Sequence, residues 1–144
     1  GMTYARQHFY EMARQSFVQA VALAQTPAKA NVYNNNLAMA NKDLGNYDEA
    51  LKIINSVLTQ EQNLVPALDT KGDILIGLKR YDEALEVLSR AISLHPKDGT
   101  SYYTRARARE GVKQQALAKR DYKMAAKLPG AYQQEAKAKL KTLQ

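Results

Sequence analysis

The chain has 144 residues, of which 45% are hydrophobic and 24% charged, and its formal net charge at pH 7 is +7. This length fits one domain, and the apolar content is sufficient for a packed interior. The absence of cysteine excludes disulfides, thiolate chemistry and cysteine-ligated metals, and no apolar run approaches the roughly 20 residues of a membrane span.

Positive charge is concentrated in the last third of the chain. Residues 1–96 carry 9 Lys/Arg and 10 Asp/Glu, a balance of −1, whereas residues 97–144 carry 12 and 4, a balance of +8. Clustered positive charge attracts polyanions, so this part of the chain predicts either an acidic partner or an ordinary solubilising surface, and the second interpretation is favoured.

The first predicted helix covers residues 3–26. Thr26 precedes Pro27, and the residue before a proline is pushed out of the helical region, so the helix ends there. Its apolar side chains recur at intervals of three and four residues, which indicates one apolar face. They are Phe9, Tyr10, Ala13, Phe17, Ala20, Val21 and Ala24.

Seven more helices are predicted, separated by short loops. They cover about residues 29–44, 47–60, 65–78, 81–94, 99–112, 115–128 and 131–143. Loops this short predict antiparallel neighbouring helices. The last helix has one apolar face and one lysine-rich face, which suits a helix that covers the end of a helical stack.

One pentapeptide occurs twice in the chain. Residues 47–51 and 81–85 both read Tyr-Asp-Glu-Ala-Leu, and the two copies are 34 residues apart. Self-similarity at this period is typical of helical repeat arrays, in which each helix pair buries its apolar face against the next pair.

The fuller copy of this repeat, from Val65 to Asp98, resembles the tetratricopeptide repeat (TPR). The residues that carry the resemblance are Gly72, Tyr81, Ala84, Leu88, Ala91 and Pro96. Residues 31–64 match it without the closing proline. Residues 99–130 match more weakly, because Gln115 stands where the tyrosine is expected.

The resemblance implies an all-α fold, a right-handed superhelical array of antiparallel helix hairpins with an N-terminal helix and a C-terminal capping helix. Residues 1–144 then form a single TPR domain. Its expected parts are a helix at 3–26 that resembles the second helix of a repeat, repeats at 31–64, 65–98 and 99–130, and a cap at 131–144.

The resemblance also implies a non-catalytic protein-interaction module, an adaptor or scaffold that holds a peptide segment or a partner protein in a concave groove. In TPR proteins the first helix of each repeat lines this groove. The corresponding residues here are Asn35, Asn36, Met39, Asp69, Thr70, Asp73, Tyr103, Thr104 and Arg107.

Asn36 matches an asparagine with which many family members hold a peptide backbone, although asparagine is common there without a ligand too. Tyr103 and Arg107 suit an apolar side chain and a carboxylate, but packing of Tyr103 against a neighbouring helix is the favoured alternative.

No enzyme is predicted. His8 and His95 are the only histidines, and no phosphate-binding glycine loop, serine–histidine–acid set or metal-ligand spacing occurs. The acid pairs at 48–49 and 82–83 fall in the first turns of helices, where the helix dipole favours negative charge. No catalytic residue, cofactor or metal site is therefore expected.

The carboxylate clamp by which some TPR domains bind acidic chaperone tails is not predicted either. It needs lysine and asparagine in one repeat, asparagine in the next, and lysine and arginine in the third. The residues at those places are Asn35, Met39, Thr70, Thr100 and Thr104, so the positive charges are missing.

Two other functions stay open. A basic module at residues 105–141 would dock to nucleic acid or another polyanion. Against it, Arg105, Arg107 and Arg109 alternate along one helix and so point in different directions, and the basic side chains are expected to surround the last two helices rather than line one groove. Self-association through residues 3–26 would follow if that helix lacks a neighbour. Partner and pathway do not follow from the sequence; a cytoplasmic location is favoured, with export open if a signal segment was removed.

Overall fold

The structure, a computed structural model, describes residues 3–143. Gly1, Met2 and Gln144, at the two ends of the predicted single domain, lie outside the described residues. The described residues form eight α-helices and no strand, which confirms the predicted all-α class. The helices are α1 (Tyr4–Ala22), α2 (Pro27–Asp43), α3 (Tyr47–Gln60), α4 (Val65–Gly77), α5 (Tyr81–Leu94), α6 (Gly99–Gly111), α7 (Gln115–Lys127) and α8 (Gln133–Thr142). Among them, none is both long and apolar enough to cross a bilayer.

The helix bounds agree with the predicted ones in the middle of the chain and differ near its ends. α3 and α5 span the residues predicted for them, whereas α1 ends at Ala22 and α8 begins only at Gln133. Thr26 has an extended backbone (φ −136°, ψ 150°) because it is the N-cap of α2. Its hydroxyl accepts a hydrogen bond from the Lys29 N–H at 3.3 Å. Pro27 then occupies the first turn of α2, where its missing N–H would have had no helical partner.

The helices form two compact units, and the division falls inside α4, between Thr70 and Lys71. In unit 1, which ends at Thr70, α1 packs on α2 and α2 packs on α3. In unit 2, which begins at Lys71, α5 packs on α6, α6 on α7 and α7 on α8, and α8 also contacts α6. Each unit thus contains helices that pack on their sequence neighbours, as expected of hairpins joined by short loops.

Small residues lie where helices pack closely. Ala50 in unit 1 and Ala84 and Ala118 in unit 2 share one repeat position, and all three are fully buried. A Cβ added at Gly72 would lie 2.6 Å from side-chain atoms of Leu88, so a larger residue here would displace the buried Leu88 side chain. The larger buried side chains include Ile54 and Val57 in unit 1 and Leu88, Tyr102 and Tyr122 in unit 2.

The turn after the first helix of each repeat has a left-handed backbone. Gly45, Lys79 and Lys113 have φ angles of 83°, 58° and 61°. They follow one another at intervals of 34 residues. In each turn the N–H donates to the carbonyl three residues earlier, over 2.9 to 3.0 Å. One turn geometry therefore recurs three times, although only the first copy uses glycine.

Candidate functional site

A groove between α1 and α2 in unit 1, called here the α1–α2 groove, contains two of the predicted contact residues. Its cavity volume is about 240 Å³. α1 contributes Phe9, Tyr10, Ala13 and Phe17, and α2 contributes Asn36, Met39, Ala40 and Asp43. Aromatic rings and small apolar side chains thus surround one amide and one carboxylate, a composition that suits an apolar side chain next to a polar backbone.

The α1 wall of this groove is apolar and accessible. No α1 side chain is buried, Phe9 is 60% exposed, and Met39 on the facing helix is 40% exposed. The rings of Phe9 and Tyr10 meet edge to face with centroids 5.6 Å apart, and the Arg6 guanidinium lies 5.8 Å from the centre of the Tyr10 ring. These contacts orient the rings without covering them.

The asparagines of α2 fall into two groups. Asn31 donates to Glu61 Oε1 over 2.8 Å, and Asn41 donates to a backbone carbonyl one turn earlier over 3.0 Å, so both stabilise unit 1. Asn36 lines the groove, and its amide has no hydrogen-bond partner among the described residues. The Oδ1 atom of Asn35 is buried and likewise has no donor among them. Of the two, the Asn36 amide is available to a ligand or to water, whereas the Asn35 oxygen is enclosed by the protein.

In unit 2, the predicted contact residues Asp73 and Arg107 form an ion pair. Arg107 Nη1 lies 2.5 Å from Asp73 Oδ1, and the Arg107 side chain is 41% exposed. The two residues are 34 apart and so share one repeat position. Because Arg107 already holds a carboxylate of its own chain, a partner's carboxylate would compete with Asp73 for it.

Tyr103 lies between two other tyrosine rings of unit 2. It stacks on Tyr132 with centroids 4.6 Å apart and meets Tyr122 edge to face at 5.6 Å. The favoured alternative for Tyr103, packing against neighbouring elements, describes this arrangement. Its ring is half-buried, so part of it still faces outward.

The structure corrects the prediction that Thr70 and Thr104 line a binding surface. Thr70 is only 6% exposed and Thr104 only 1%. Each hydroxyl donates to the carbonyl four residues earlier, over 2.9 Å for Thr70 and 3.2 Å for Thr104. A threonine bonded in this way satisfies its hydroxyl within its own helix, so neither side chain is presented to a ligand. Asp69, the remaining predicted contact, is half-buried in α4.

Glu110, Tyr122 and Lys139 join the last three helices. The Tyr122 hydroxyl donates to the Glu110 carboxylate, and Lys139 Nζ lies 3.1 Å from Glu110 Oε2. Burial, together with the hydrogen bond to Glu110 and its negative charge, raises the pKa of Tyr122 far above its ordinary value. The hydroxyl therefore stays protonated and keeps donating, which holds α7 against α6 while Lys139 holds α8.

A second groove lies between α6 and α7 in unit 2, within the predicted basic module at residues 105–141, and is called here the α6–α7 basic groove. Sequence reasoning did not predict that these side chains line one groove. Asp121, only 3% exposed, accepts hydrogen bonds of 2.8 Å from both Arg105 Nε and Arg105 Nη2. Arg109 Nη1 lies 2.9 Å from the same carboxylate. The basic side chains that line this groove are Arg105, Arg109, Arg120, Lys123 and Lys127. The expectation that basic side chains surround the last two helices rather than line one groove is thus corrected. The expectation that Arg105 and Arg109 point in different directions is also wrong, because residues four apart lie on one helix face and both arginines bind Asp121.

Both histidines make local contacts. His8 stacks on Tyr4 with centroids 6.2 Å apart. His95 follows α5, and its backbone N–H donates to the Ala91 carbonyl over 3.0 Å. Within residues 3–143, no three side chains of the kinds that ligate metals come close enough together to hold a metal ion.

Comparison with known families identifies the repeats. The family model of the tetratricopeptide repeat matches residues 43–110. Residues 43–110, just under half of the chain, are similar to tetratricopeptide repeats. The matched stretch includes α3 to α6 and both copies of the repeated pentapeptide.

Solved structures of TPR proteins share the fold at low sequence identity. TTC0263, a thermophilic TPR protein of Thermus thermophilus, has a TM-score of 0.81 at 20% identity, covering 93% of this chain and 72% of that one. The first TPR of Spaghetti (RPAP3), bound to an HSP90 peptide, has 0.70 at 20% identity, covering 78% and 89%. The type III secretion translocator chaperone SycD of Yersinia enterocolitica has 0.69 at 15% identity, covering 78% and 90%. These identities establish the fold alone, and the TPR fold is one used for protein interaction.

Proposed function

We propose that this TPR protein is a non-catalytic interaction module that binds a segment of a partner protein in the α1–α2 groove. The proposal rests on one observation. Asn36 and Met39, which occupy peptide-contacting repeat positions, lie in the same groove as Phe9, Tyr10 and Phe17 of α1. A ligand there would cover apolar surface that α1 and α2 leave exposed.

The chemistry of the groove defines the segment it takes. Burying an aliphatic or aromatic side chain against the rings and Met39 would contribute roughly 1.5–3 kcal/mol. The Asn36 amide both donates and accepts, so it matches the N–H and C=O of a peptide backbone. Asp43 adds a carboxylate that already lies 3.4 Å from Lys42 Nζ, so a basic residue of the segment would compete with Lys42 for it. The expected segment is therefore one that presents an apolar side chain to the rings and its backbone to Asn36.

Asp73, Tyr103 and Arg107 stay predicted contacts of lower rank. Each already has a partner within unit 2, so a ligand would have to replace the ion pair or the ring stack before it gained a contact. The free energy of that exchange is subtracted from the binding free energy. The α1–α2 groove requires no such exchange at Asn36.

An acidic chaperone tail is not the proposed partner. Asn35, Thr100 and Thr104 stand where the clamp carries its two lysines and its arginine, so a peptide rich in carboxylates meets no cation at these places. The HSP90 peptide is bound by the Spaghetti domain, and this partner is not carried over to the present chain.

The proposal is tested by selecting a displayed random-peptide library on the full chain and measuring the Kd of a selected peptide by titration calorimetry. Met39→Glu places a charge in the apolar part of the groove, and we expect the affinity to fall at least about tenfold. Met12→Glu is the matched control, because Met12 is 50% exposed on α1 but does not line the groove. Its effect should stay below about twofold.

A second pair of variants tests the backbone contact. Asn36→Ala removes one amide and should weaken binding about fivefold, the equivalent of about one hydrogen bond. Asn55→Ala, on the exposed side of α3, should leave the affinity unchanged. If both groove variants keep their melting temperature and still bind the selected peptides with wild-type affinity, the peptides bind elsewhere and the proposal is wrong.

A further inference from the structure

The α6–α7 basic groove combines a surplus of positive charge with an apolar surface. Its cavity volume is about 640 Å³. Five cationic side chains line it against the single carboxylate of Asp121, and Leu117 and Met124 contribute the apolar surface. It belongs to unit 2 and shares no residue with the α1–α2 groove.

Asp121 does not neutralise this groove. Its two oxygens are shared between Arg105 and Arg109 at 2.8–2.9 Å. A guanidinium carries five N–H donors, so both arginines keep donors that Asp121 does not use. Burial lowers the pKa of Arg109; Asp121 opposes this effect, and the nearby charges of Arg105 and Arg120 add to it. Like charges are thus held close together, and an added anion is electrostatically favoured there.

The apolar part of the groove lies on α7 among the cations. Leu117 and Met124 are each 36% exposed, and two helical turns separate them, so they share one helix face. Arg120 and Asp121 lie between them along that face. A ligand that covers this strip therefore meets apolar and cationic side chains together.

We propose that the α6–α7 basic groove is a second interaction surface, which binds a protein segment whose acidic residues flank an apolar one. The carboxylates of the segment meet Arg109, Arg120 and Lys123, and its apolar side chain packs on Leu117 and Met124. Charge complementarity selects the segment and speeds its association, and the apolar contact gives the complex its lifetime. This surface is distinct from the α1–α2 groove, so the protein would connect two partners.

Nucleic acid fits this groove less well. Binding of single strands relies on aromatic rings that stack on bases. Among the lining residues, Tyr102 is the aromatic one; it is only 9% exposed, and its hydroxyl donates to the Pro96 carbonyl over 3.0 Å. Its ring also lies 5.7 Å from the Arg105 guanidinium. The ring is therefore engaged within the protein, while aliphatic side chains are exposed.

The test uses three fluorescent probes and the intact chain. The first is a short peptide of glutamates with two leucines one helical turn apart, the second has serines in place of the leucines, and the third is an oligothymidylate of equal charge. Anisotropy titrations at low and physiological salt give the Kd of each. We expect the leucine peptide to bind most tightly, and its affinity to fall as salt rises.

Charge-reversal variants locate the binding. Arg120→Glu combined with Lys123→Glu should weaken the leucine peptide at least about tenfold, because two attractions become repulsions. Lys137→Glu combined with Lys141→Glu makes the same change of net charge on exposed positions of α8 and should have less than about a threefold effect. Met124→Gln should reduce binding of the leucine peptide but not of the serine peptide. Met39→Glu should change neither, which separates this test from that of the α1–α2 groove.

Three results would overturn the inference. Equal weakening by the two double variants would mean that general charge, and not this groove, attracts the probes. Equal binding of the leucine and serine peptides would remove the apolar contact. Tighter binding of oligothymidylate, lost in the Arg120→Glu and Lys123→Glu variant, would make the groove a nucleic-acid site.

Discussion

The helices at the two ends of the chain, α1 in unit 1 and α8 in unit 2, are held in different ways. No side chain of α1 is buried, and Leu23 just beyond it is 80% exposed. In α8, by contrast, Ala136 is fully buried, and Lys139 forms an ion pair with Glu110 of α6. Tyr132, immediately before α8, stacks on Tyr103. Of the two end helices, α8 closes its unit, whereas α1 leaves apolar surface for something else to cover.

Among the described residues, unit 2 has more buried side-chain contacts between polar groups than unit 1 does. Asp121 holds two arginines, and Tyr122 donates to Glu110. Such networks fix one arrangement of helices because every member is lost if one helix moves. Unit 2 should therefore be the more rigid unit, and its stability should respond to single polar substitutions.

The largest expected effect is that of Asp121→Ala. It leaves Arg105 and Arg109 without their carboxylate, and we expect the free energy of unfolding to fall by about 3 kcal/mol. Urea denaturation measures this, with hydrogen exchange of α6 and α7 showing that the loss lies in unit 2. Asp48→Ala, at an exposed first-turn position of α3, is the control and should cost only about 0.5 kcal/mol. Equal costs would show that the network does not stabilise unit 2.

The next effect depends on pH. The pKa of Tyr122 is raised in the folded protein, so the protonated hydroxyl stabilises the fold. This stabilisation is fully present below the pKa of about 10 that tyrosine has in the unfolded chain, and it is lost as the pH rises above that value. Tyr122→Phe lacks this dependence. We therefore expect the stability advantage of the wild type over the variant to shrink by about 1.4 kcal/mol per pH unit above about pH 10. Tyr4→Phe, at a residue that is 83% exposed, should show no such change, and a constant wild-type advantage would contradict the assignment.

The smallest expected effect is at Leu23, the residue just beyond α1. Leu23→Gln should change the free energy of unfolding by no more than about 0.5 kcal/mol, since the side chain is already in water. Leu140→Gln in α8, where the side chain packs against the interior of unit 2, should cost about 1–2 kcal/mol. Sedimentation of the Leu23→Gln protein would also show whether the exposed face of α1 mediates self-association. Equal losses of stability would mean that α1 is covered after all.

Features that follow the repeat period were predictable from the sequence, whereas the side-chain pairs between distant residues were not. The repeat period placed α3 and α5 at their observed bounds, because hydrophobic spacing and turn residues are local signals. The predicted first helix extended to Thr26, beyond the observed end of α1 at Ala22, because Thr26 was not recognised as the N-cap of α2. The expectation that Arg105, Arg107 and Arg109 point in different directions holds for Arg107, which pairs with Asp73, and is wrong for Arg105 and Arg109, which both pair with Asp121. Spacing alone did not identify these partners, because Asp73 is 34 residues from Arg107 and Asp121 is 16 residues from Arg105.

The same limit applies to the candidate site. Asn36 and Met39 were predicted from repeat position and line a groove. Thr70 and Thr104 were predicted in the same way and are buried, because their exposure depends on which neighbouring side chains cover the helix. A threonine can also satisfy its hydroxyl within its own helix, which no spacing rule reveals. Repeat position therefore selects candidates, and burial decides among them.

The recurring left-handed turns bear on how this chain can change over time. Lys79 and Lys113 adopt a conformation that costs a side-chain-bearing residue about 1 kcal/mol, and they do so because the helices on either side impose it. The packing of the flanking helices therefore determines the conformation of these turn residues, and the turn residues do not determine how the helices pack. Mutations can accumulate at these corners with little consequence for the hairpins, which makes the corners natural places for insertions, tags or new recognition loops.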